Sequence, residues 1–238
     1  MKTLSIIIPC FNESKNLPLL LARFSEVIHR DDIEVILVDN GSIDGSSEVL
    51  SQLLPEYPFA RSVRVDINQG YGYGILYGLR AAQGRFLGWT HADMQTDPQD
   101  VIRGLSILEN SSSPERTYVK GKRYGRPFAD SFFTVGMSLC TSLLLGTPFW
   151  DVNAQPNLFA KTFFETWESP PYDFSLDLYC YYKAVNSRLK IVRFEVLFGQ
   201  RAYGSSHWNI NWRAKIKFIK RTFNFTWKLR KRLHSKYQ

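Results

Sequence analysis

Between a short apolar run and a proline the chain reads His91-Ala92-Asp93-Met94-Gln95-Thr96-Asp97. Asp93 and Gln95 are hard oxygen donors two residues apart, a pattern that suits Mg2+ or Mn2+ held jointly with a substrate phosphate. Residues 86–89 lead in as a strand, and Pro98 can open a helix. In an α/β protein, that junction is where side chains reach a ligand crevice. His91 is open between a hydrogen-bond donor to phosphate, a group acting through its neighbours and a cap. Direct ligation of Mg2+ by its imidazole is disfavoured. A solvated loop is the competing reading of the segment. The apolar lead-in, the density of oxygen donors and the proline weigh against it.

Three other stretches have the same character. Pro9-Cys10-Phe11-Asn12-Glu13 follows an apolar run, and its polar groups are placed either to hold a base or ribose or to cap the next helix. Asp39 ends a second apolar run, where an acidic residue often bonds a nucleotide's base or sugar; an Asx turn is the alternative. Gly70-Tyr71-Gly72-Tyr73-Gly74 looks like a phosphate loop. It lacks the Walker lysine and the Rossmann spacing, so close packing of helix on strand explains it equally well.

The elements that must position these groups follow from apolar periodicity. Residues 4–8, 33–38, 62–66 and 86–89 read as strands. Helices are expected over 14–29, 44–54, from the glycines to 83, and over 98–109. This alternation predicts an α/β fold with a mostly parallel, Rossmann-like sheet flanked by helices. Beyond residue 110 the expected elements are a strand at 117–120, helices at 128–145 and 175–186, a strand at 189–196 and a helical tail. The expected domains are 1–211, with a nucleotide-binding half (1–110) and an acceptor-side half (111–211), and a basic tail, 212–238.

The 238 residues suffice for one substantial core. The net charge of +8 is concentrated at one end. Ten Lys or Arg fall between Trp212 and Lys236, and no Asp or Glu follows Glu195; the remainder is 20 basic against 22 acidic. Trp212, Ile216, Ile219, Phe223 and Trp227 share one helical face of that tail, the pattern of a helix lying in an anionic membrane surface. No nucleic-acid module is recognisable, so nucleic acid is not an expected partner. The three cysteines lack metal spacing and fit a reducing cytosol. With no long apolar span or leader, the expected location is cytoplasmic and peripheral on the membrane.

Together the motifs resemble the inverting family-2 glycosyltransferases with a GT-A fold. The likeness is strongest to the branch of dolichyl- and polyprenyl-phosphate sugar synthases and their polysaccharide-assembly relatives. It is carried by residues 5–13, 38–46, 68–78, 82–84 and 92–95, with echoes at 121–124 and 201–209. The resemblance implies that Pro9, Phe11, Asn12, Glu13 and Asp39, with Asn40, Ser42, Asn68 and Gly70 beside them, bind the nucleoside of a nucleotide-sugar. It implies that Asp93 and Gln95 hold Mg2+ or Mn2+ on the diphosphate, and that Arg123, Ser138, Arg201 and Ser205 face phosphates of donor or acceptor.

Four positions depart from the branch. His91 stands where its metal motif begins with Asp, Asn40 where a second acid is usual, and Tyr71 where a basic residue commonly follows Asn-x-Gly. Thr134 stands where an Arg commonly precedes the serine matching Ser138; Lys120, Lys122 and Arg126 are the cations placed to replace it. The expected reaction is metal-assisted inverting transfer of a sugar to a lipid-linked acceptor, a polyprenyl phosphate or lipid-linked saccharide. Catalysis centres on Asp93, with Asp177 and Asp151 as candidate bases for a hydroxyl acceptor. The alternative is a weakly active or inactive nucleotide-sugar-binding relative serving as a scaffold. Nucleotidyl transfer is disfavoured by the missing glycine and lysine signature. A homo-oligomer stays open.

Overall fold

The computed structural model describes residues 1–125, 136, 138–139, 141–203, 220, 223–227 and 229–230. The chain divides into two compact units, Met1–Gly125 with Ala154–Gly204, and Arg126–Asn153 with Ser205–Gln238.

The first unit is built on seven strands: β1 Leu4–Cys10, β2 Ile33–Asn40, β3 Ala60–Val65, β4 Phe86–Trp89, β5 Thr117–Tyr124, β6 Asn157–Ala160 and β7 Lys190–Leu197. Their order across the sheet is β3-β2-β1-β4-β6-β5-β7. All neighbours run parallel except β6, which is antiparallel to β4 and β5. The Rossmann-like, mostly parallel sheet expected from the alternation is therefore present. β1 and β2 are apolar runs because both of their faces are covered.

Helices α1 Leu17–Val27, α2 Ser46–Leu53, α3 Tyr71–Ala81 and α4 Pro98–Glu109 alternate with the first strands; α5 Lys161–Glu165 and α6 Ser175–Asn186 follow β6. Leu4, Ile6 and Ile8 point to one face and share a core with Leu20, Leu21 and Phe24 of α1 and Val101, Leu105 and Leu108 of α4. Ile7 and Val38 point to the other face and receive α3, where a Cβ on Gly78 would lie 2.6 Å from Ile7 Cγ2. Truncating a side chain such as Phe24 to Ala would cost about 3–5 kcal/mol.

The chain steps outward from β1 to β2 and β3, then crosses back to lay β4 on the other side of β1. This reversal is the switch point at which open α/β sheets bind ligands. β4 ends its pairing at Trp89, opposite Ile7, while β1 continues three residues further. Pro9, which has no N–H to donate, sits in that extension, in register with Val38 of β2 alone. The loops after β1 and β4 thus flank an opening in the sheet.

Sequence periodicity misses β6 and α5. β6 is four residues long and buried throughout, so it has neither alternation nor length to mark it. β5 also runs four residues past its expected end, because Lys122 and Arg123 are polar strand residues rather than a loop.

In the second unit, Gly136, Ser138, Leu139 and residues 141–145 are helical, as are Lys220, 223–227 and 229–230. The rest of the helices expected over 128–145 and in the tail lies outside the described residues. Among the described residues no helix is long and apolar enough to cross a membrane.

Candidate functional site

Asp93 leaves β4 into the opening and is 4% exposed. Its Oδ1 accepts the Gln95 N–H at 3.1 Å, and its Oδ2 pairs with the Arg201 guanidinium at 2.9 Å. Thr90 and Thr96 close the loop beneath it, hydroxyl to hydroxyl at 3.0 Å. Met94 adopts φ 60°, a strained value for a residue with a side chain, of the kind that collects at functional sites. The Gln95 amide donates to Gly199 O at 3.2 Å, and Gly199 N–H donates to Gln95 O at 2.8 Å. These bonds tie residues 199–202 onto the loop and deliver Arg201 to Asp93.

Among the described residues no group of three or more His, Cys, Asp and Glu could hold a metal. The donor set is one carboxylate and one amide, whose Oε1 remains for coordination once Nε2 is spent on Gly199. That set fits Mg2+ or Mn2+ bound mainly through a substrate's phosphates, and does not fit a closed protein cage. His91 is kept neutral: burial lowers its pKa, and Arg123, Arg201 and Lys120 add to the effect against the opposing charge of Asp93.

Just beyond β1, Glu13 lies close enough to Asp93 and Arg201 to feel both charges. Burial raises the Glu13 pKa, opposed by the hydrogen bond from Asn16 at 2.5 Å, and the charge of Asp93 raises it further. Asn12, at φ 58°, gives its N–H to Ser42 Oγ and accepts the Ile43 N–H on Oδ1. Asp39 is 1% exposed. It accepts the Ser42 N–H at 2.9 Å and the Ser47 hydroxyl, and Arg64 lies 3.5 Å away. Asp39 therefore forms the Asx-type turn, and its carboxylate also anchors the start of α2.

Asn40 stitches the next loop. Its amide donates to Gly70 O at 2.9 Å, and Asn68 accepts the Gly70 N–H at 2.8 Å. A carboxylate at position 40 would oppose that carbonyl, which gives the Asn a physical reason. Gly70, at φ 104°, admits Tyr172 O where a Cβ would lie 2.7 Å from it. Tyr172 O also takes the Tyr73 N–H at 3.0 Å, so protein carbonyl already caps α3. The glycine stretch is a packing device, and the likeness to a phosphate loop ends there.

Asp177 is 1% exposed, in the first turn of α6. Its Oδ1 accepts from Trp89 Nε1 and Asn157 Nδ2, both at 3.2 Å, and Tyr71 hydrogen-bonds the same carboxylate. Burial raises its pKa, with the opposite charge of Lys120 working against that. Lys120 is fully buried and donates to Ala154 O and Asn157 Oδ1. It is a core cation and is not spare as a phosphate clamp, whereas Lys122 makes only an exposed pair with Glu195 at 3.6 Å. As a general base Asp177 is poorly placed, because its carboxylate is enclosed and already engaged by Trp89, Asn157 and Tyr71.

Tyr71, Gln155 and Asn157 were not singled out as network members by sequence; Tyr71 stacks on Phe174 at 4.4 Å and is bonded by Gln155 Nε2. Arg123 carries its guanidinium 5.0 Å over the Phe198 ring, close enough to influence His91 and Asp177. Ser138 and Asp151 lie together in the second unit, where Ser138 Oγ accepts the Asp151 N–H at 3.2 Å. Ser205, Thr134 and Arg126 lie outside the described residues.

A family model described as Glycosyl transferase family 2 matches residues 5–179. An undecaprenyl-phosphate 4-deoxy-4-formamido-L-arabinose transferase of Yersinia enterocolitica is 34% identical over 113 residues, covering 46% of this chain and 34% of that protein. The protein of the same description from Photorhabdus laumondii is 35% identical over 113 residues, with the same shares. The match thus spans about a third of the length of these curated relatives. Among solved structures, a glucosyl-3-phosphoglycerate synthase of Mycobacterium tuberculosis, in complex with Mn2+, uridine diphosphate and glucosyl-3-phosphoglycerate, superposes with a TM-score of 0.72. It is 18% identical, and the match covers 96% of this chain and 80% of that one, a likeness of fold.

Proposed function

The chain belongs to glycosyl transferase family 2, and from that premise we propose that it transfers a sugar, with inversion, from a nucleotide-sugar to a lipid-linked acceptor at the cytoplasmic face of a membrane. The acceptor is a polyprenyl phosphate or lipid-linked saccharide, and the product enters glycan or polysaccharide assembly. The observation that carries this reading is the Asp93, Gln95 and Arg201 cluster at the sheet's switch point.

In this reading the nucleoside lies over Pro9, Phe11, Asn12, Glu13 and the 39–42 and 68–70 loops. Asp93 and Gln95 would hold a divalent cation, which supplies Lewis-acid neutralisation of the departing diphosphate. Arg201 and Arg123 add fixed positive charge on the same side, where charge grows as the glycosidic bond breaks. Neutral His91 can donate one hydrogen bond there without adding charge. An acceptor phosphate is already anionic and attacks without a base, whereas a hydroxyl needs one. The enclosure of Asp177 favours the phosphate. The basic residues of 212–234 favour an anionic lipid surface.

The test is release of nucleoside diphosphate from a panel of nucleotide-sugars, with and without Mn2+ and a short-chain polyprenyl phosphate. Release that needs both additions, from one donor above the others, is expected. No release from any donor, with nucleotide binding intact, would return the protein to the scaffold reading.

A further inference from the structure

Arg201 occupies the position that a metal's charge would otherwise fill. Asp93 is almost fully enclosed, and both of its oxygens are engaged, one by the Gln95 N–H and one by the guanidinium. The backbone holds Arg201 there: Gly199 N–H bonds Gln95 O, Ala202 N–H bonds Asp93 O at 3.4 Å, and the Asn16 amide bonds Tyr203 O at 3.4 Å. Yet the guanidinium is only partly satisfied. Its Nε is buried and has no partner among the described residues. A buried donor without an acceptor is costly, and a phosphate oxygen would satisfy it in the forked geometry that guanidinium favours.

We infer that Arg201 is an internal competitor of the metal at Asp93, so that divalent cation binds tightly only together with a diphosphate. The inference rests on the metal-assisted reading above. A bare cation must displace an arginine from the single carboxylate of the loop and leave that arginine only the more distant charge of Glu13, with no hydrogen-bonded anion. A cation arriving with a diphosphate brings its own oxygen ligands and a new partner for the displaced guanidinium. The two ligands therefore raise each other's affinity by one common factor, as linkage requires. The strap of residues 199–203 stays bonded, and the side chain alone changes partners. The result is a site that stays closed to free metal ions and opens to the loaded donor.

The experiment measures Mn2+ binding to the full chain by water-proton relaxation, which separates protein-bound Mn2+ from Mn2+ on the ligand, with and without inorganic pyrophosphate. The wild type should bind Mn2+ weakly alone and about 5-fold or more tighter with pyrophosphate. Arg201→Gln should bind Mn2+ alone more tightly than wild type and lose most of the pyrophosphate effect. Arg201→Lys, which keeps a competing charge, should stay near wild type for Mn2+ alone; circular dichroism checks that both variants fold. If Arg201→Gln binds Mn2+ alone no better than wild type while Asp93→Ala abolishes binding, the competition is wrong and the metal site stands. If Asp93→Ala binds Mn2+ with pyrophosphate as wild type does, the metal reading itself falls and the competition with it.

Discussion

Asp39 and Asp93 are two buried aspartates, one at the carboxyl end of β2 and one beyond that of β4, the parallel strands on either side of β1, and they are held in different ways. Both accept a backbone N–H and both have an arginine beside them. Asp39 also takes the Ser47 hydroxyl, and Arg64 bonds that same serine, so its hydrogen-bond donors belong to the turn and helix that follow β2 and its arginine to the adjacent strand β3. Asp93 has no such closure. Its strong partner comes from a distant strap, and that partner carries an unsatisfied Nε. One carboxylate is structural framework that presents the loop around it. The other is held by a contact that a ligand can replace.

The largest effect is expected at Asp93. Removing one group that stabilises transition-state charge typically costs about 10²–10³ in turnover. Asp93→Ala should lose at least that much nucleoside diphosphate release while melting within a few degrees of wild type. Retained turnover with the correct donor would make Asp93 a second framework carboxylate and erase the contrast.

At Asp39 the expected loss is in stability. Asp39→Ala leaves the Ser42 N–H and Ser47 hydroxyl without their acceptor, a cost of about 2–3 kcal/mol read by denaturant unfolding. Asp39→Asn keeps an acceptor for Ser42 and should recover most of that loss. If both variants instead keep their stability and lose nucleotide affinity equally, Asp39 reads the nucleoside directly and the framework assignment is wrong.

Asn40 sharpens the same side of the comparison at a smaller scale. Asn40→Asp exchanges a donor for a carboxylate facing Gly70 O, now 2.9 Å from the amide nitrogen. The expected cost is about 1–2 kcal/mol. An unchanged or raised stability would mean that the loop at 68–70 is held by Asn68 alone.

Half of this architecture is legible in the chain itself. β1, β2 and β4 announce themselves because strands covered on both faces are apolar runs, and Asp93 is visible because it stands just beyond such a run. What holds Asp93 is not legible: Arg201 lies far along the chain in a stretch without periodicity, and only the sheet brings it near. Asn40 is a departure from its relatives in sequence and a necessity in structure, since only the fold shows the carbonyl it serves. Asp177 misleads in the opposite direction. An acidic residue in a helix's first turn looks available, and the burying partners Trp89, Asn157 and Tyr71 come from three other elements.

Asp177 also gives the smallest expected effect, with a defined sign. Burial raises its pKa in the folded protein, and outweighs the attraction of Lys120. A carboxyl with a raised folded pKa contributes stability that is full below its unfolded value and is lost as pH rises through the folded value. Asp177→Asn should remove that slope, so its stability relative to wild type should rise between mildly acidic and neutral pH. The network can accept the change. An Asn oxygen serves Trp89 and Asn157 as Oδ1 does now, and its NH2 replaces the oxygen that took the Tyr71 proton. Tyr71 then accepts there and needs a new acceptor for its hydroxyl, which a turned Gln155 amide supplies through Oε1, an atom without a partner in the present arrangement. The net change at neutral pH should stay within about 1 kcal/mol. Turnover should change by less than about 10-fold, the effect of a positioning group worth under about 1.4 kcal/mol in the transition state. A loss of 10²–10⁴, the range of general-base catalysis, would make Asp177 the base and an acceptor hydroxyl the nucleophile.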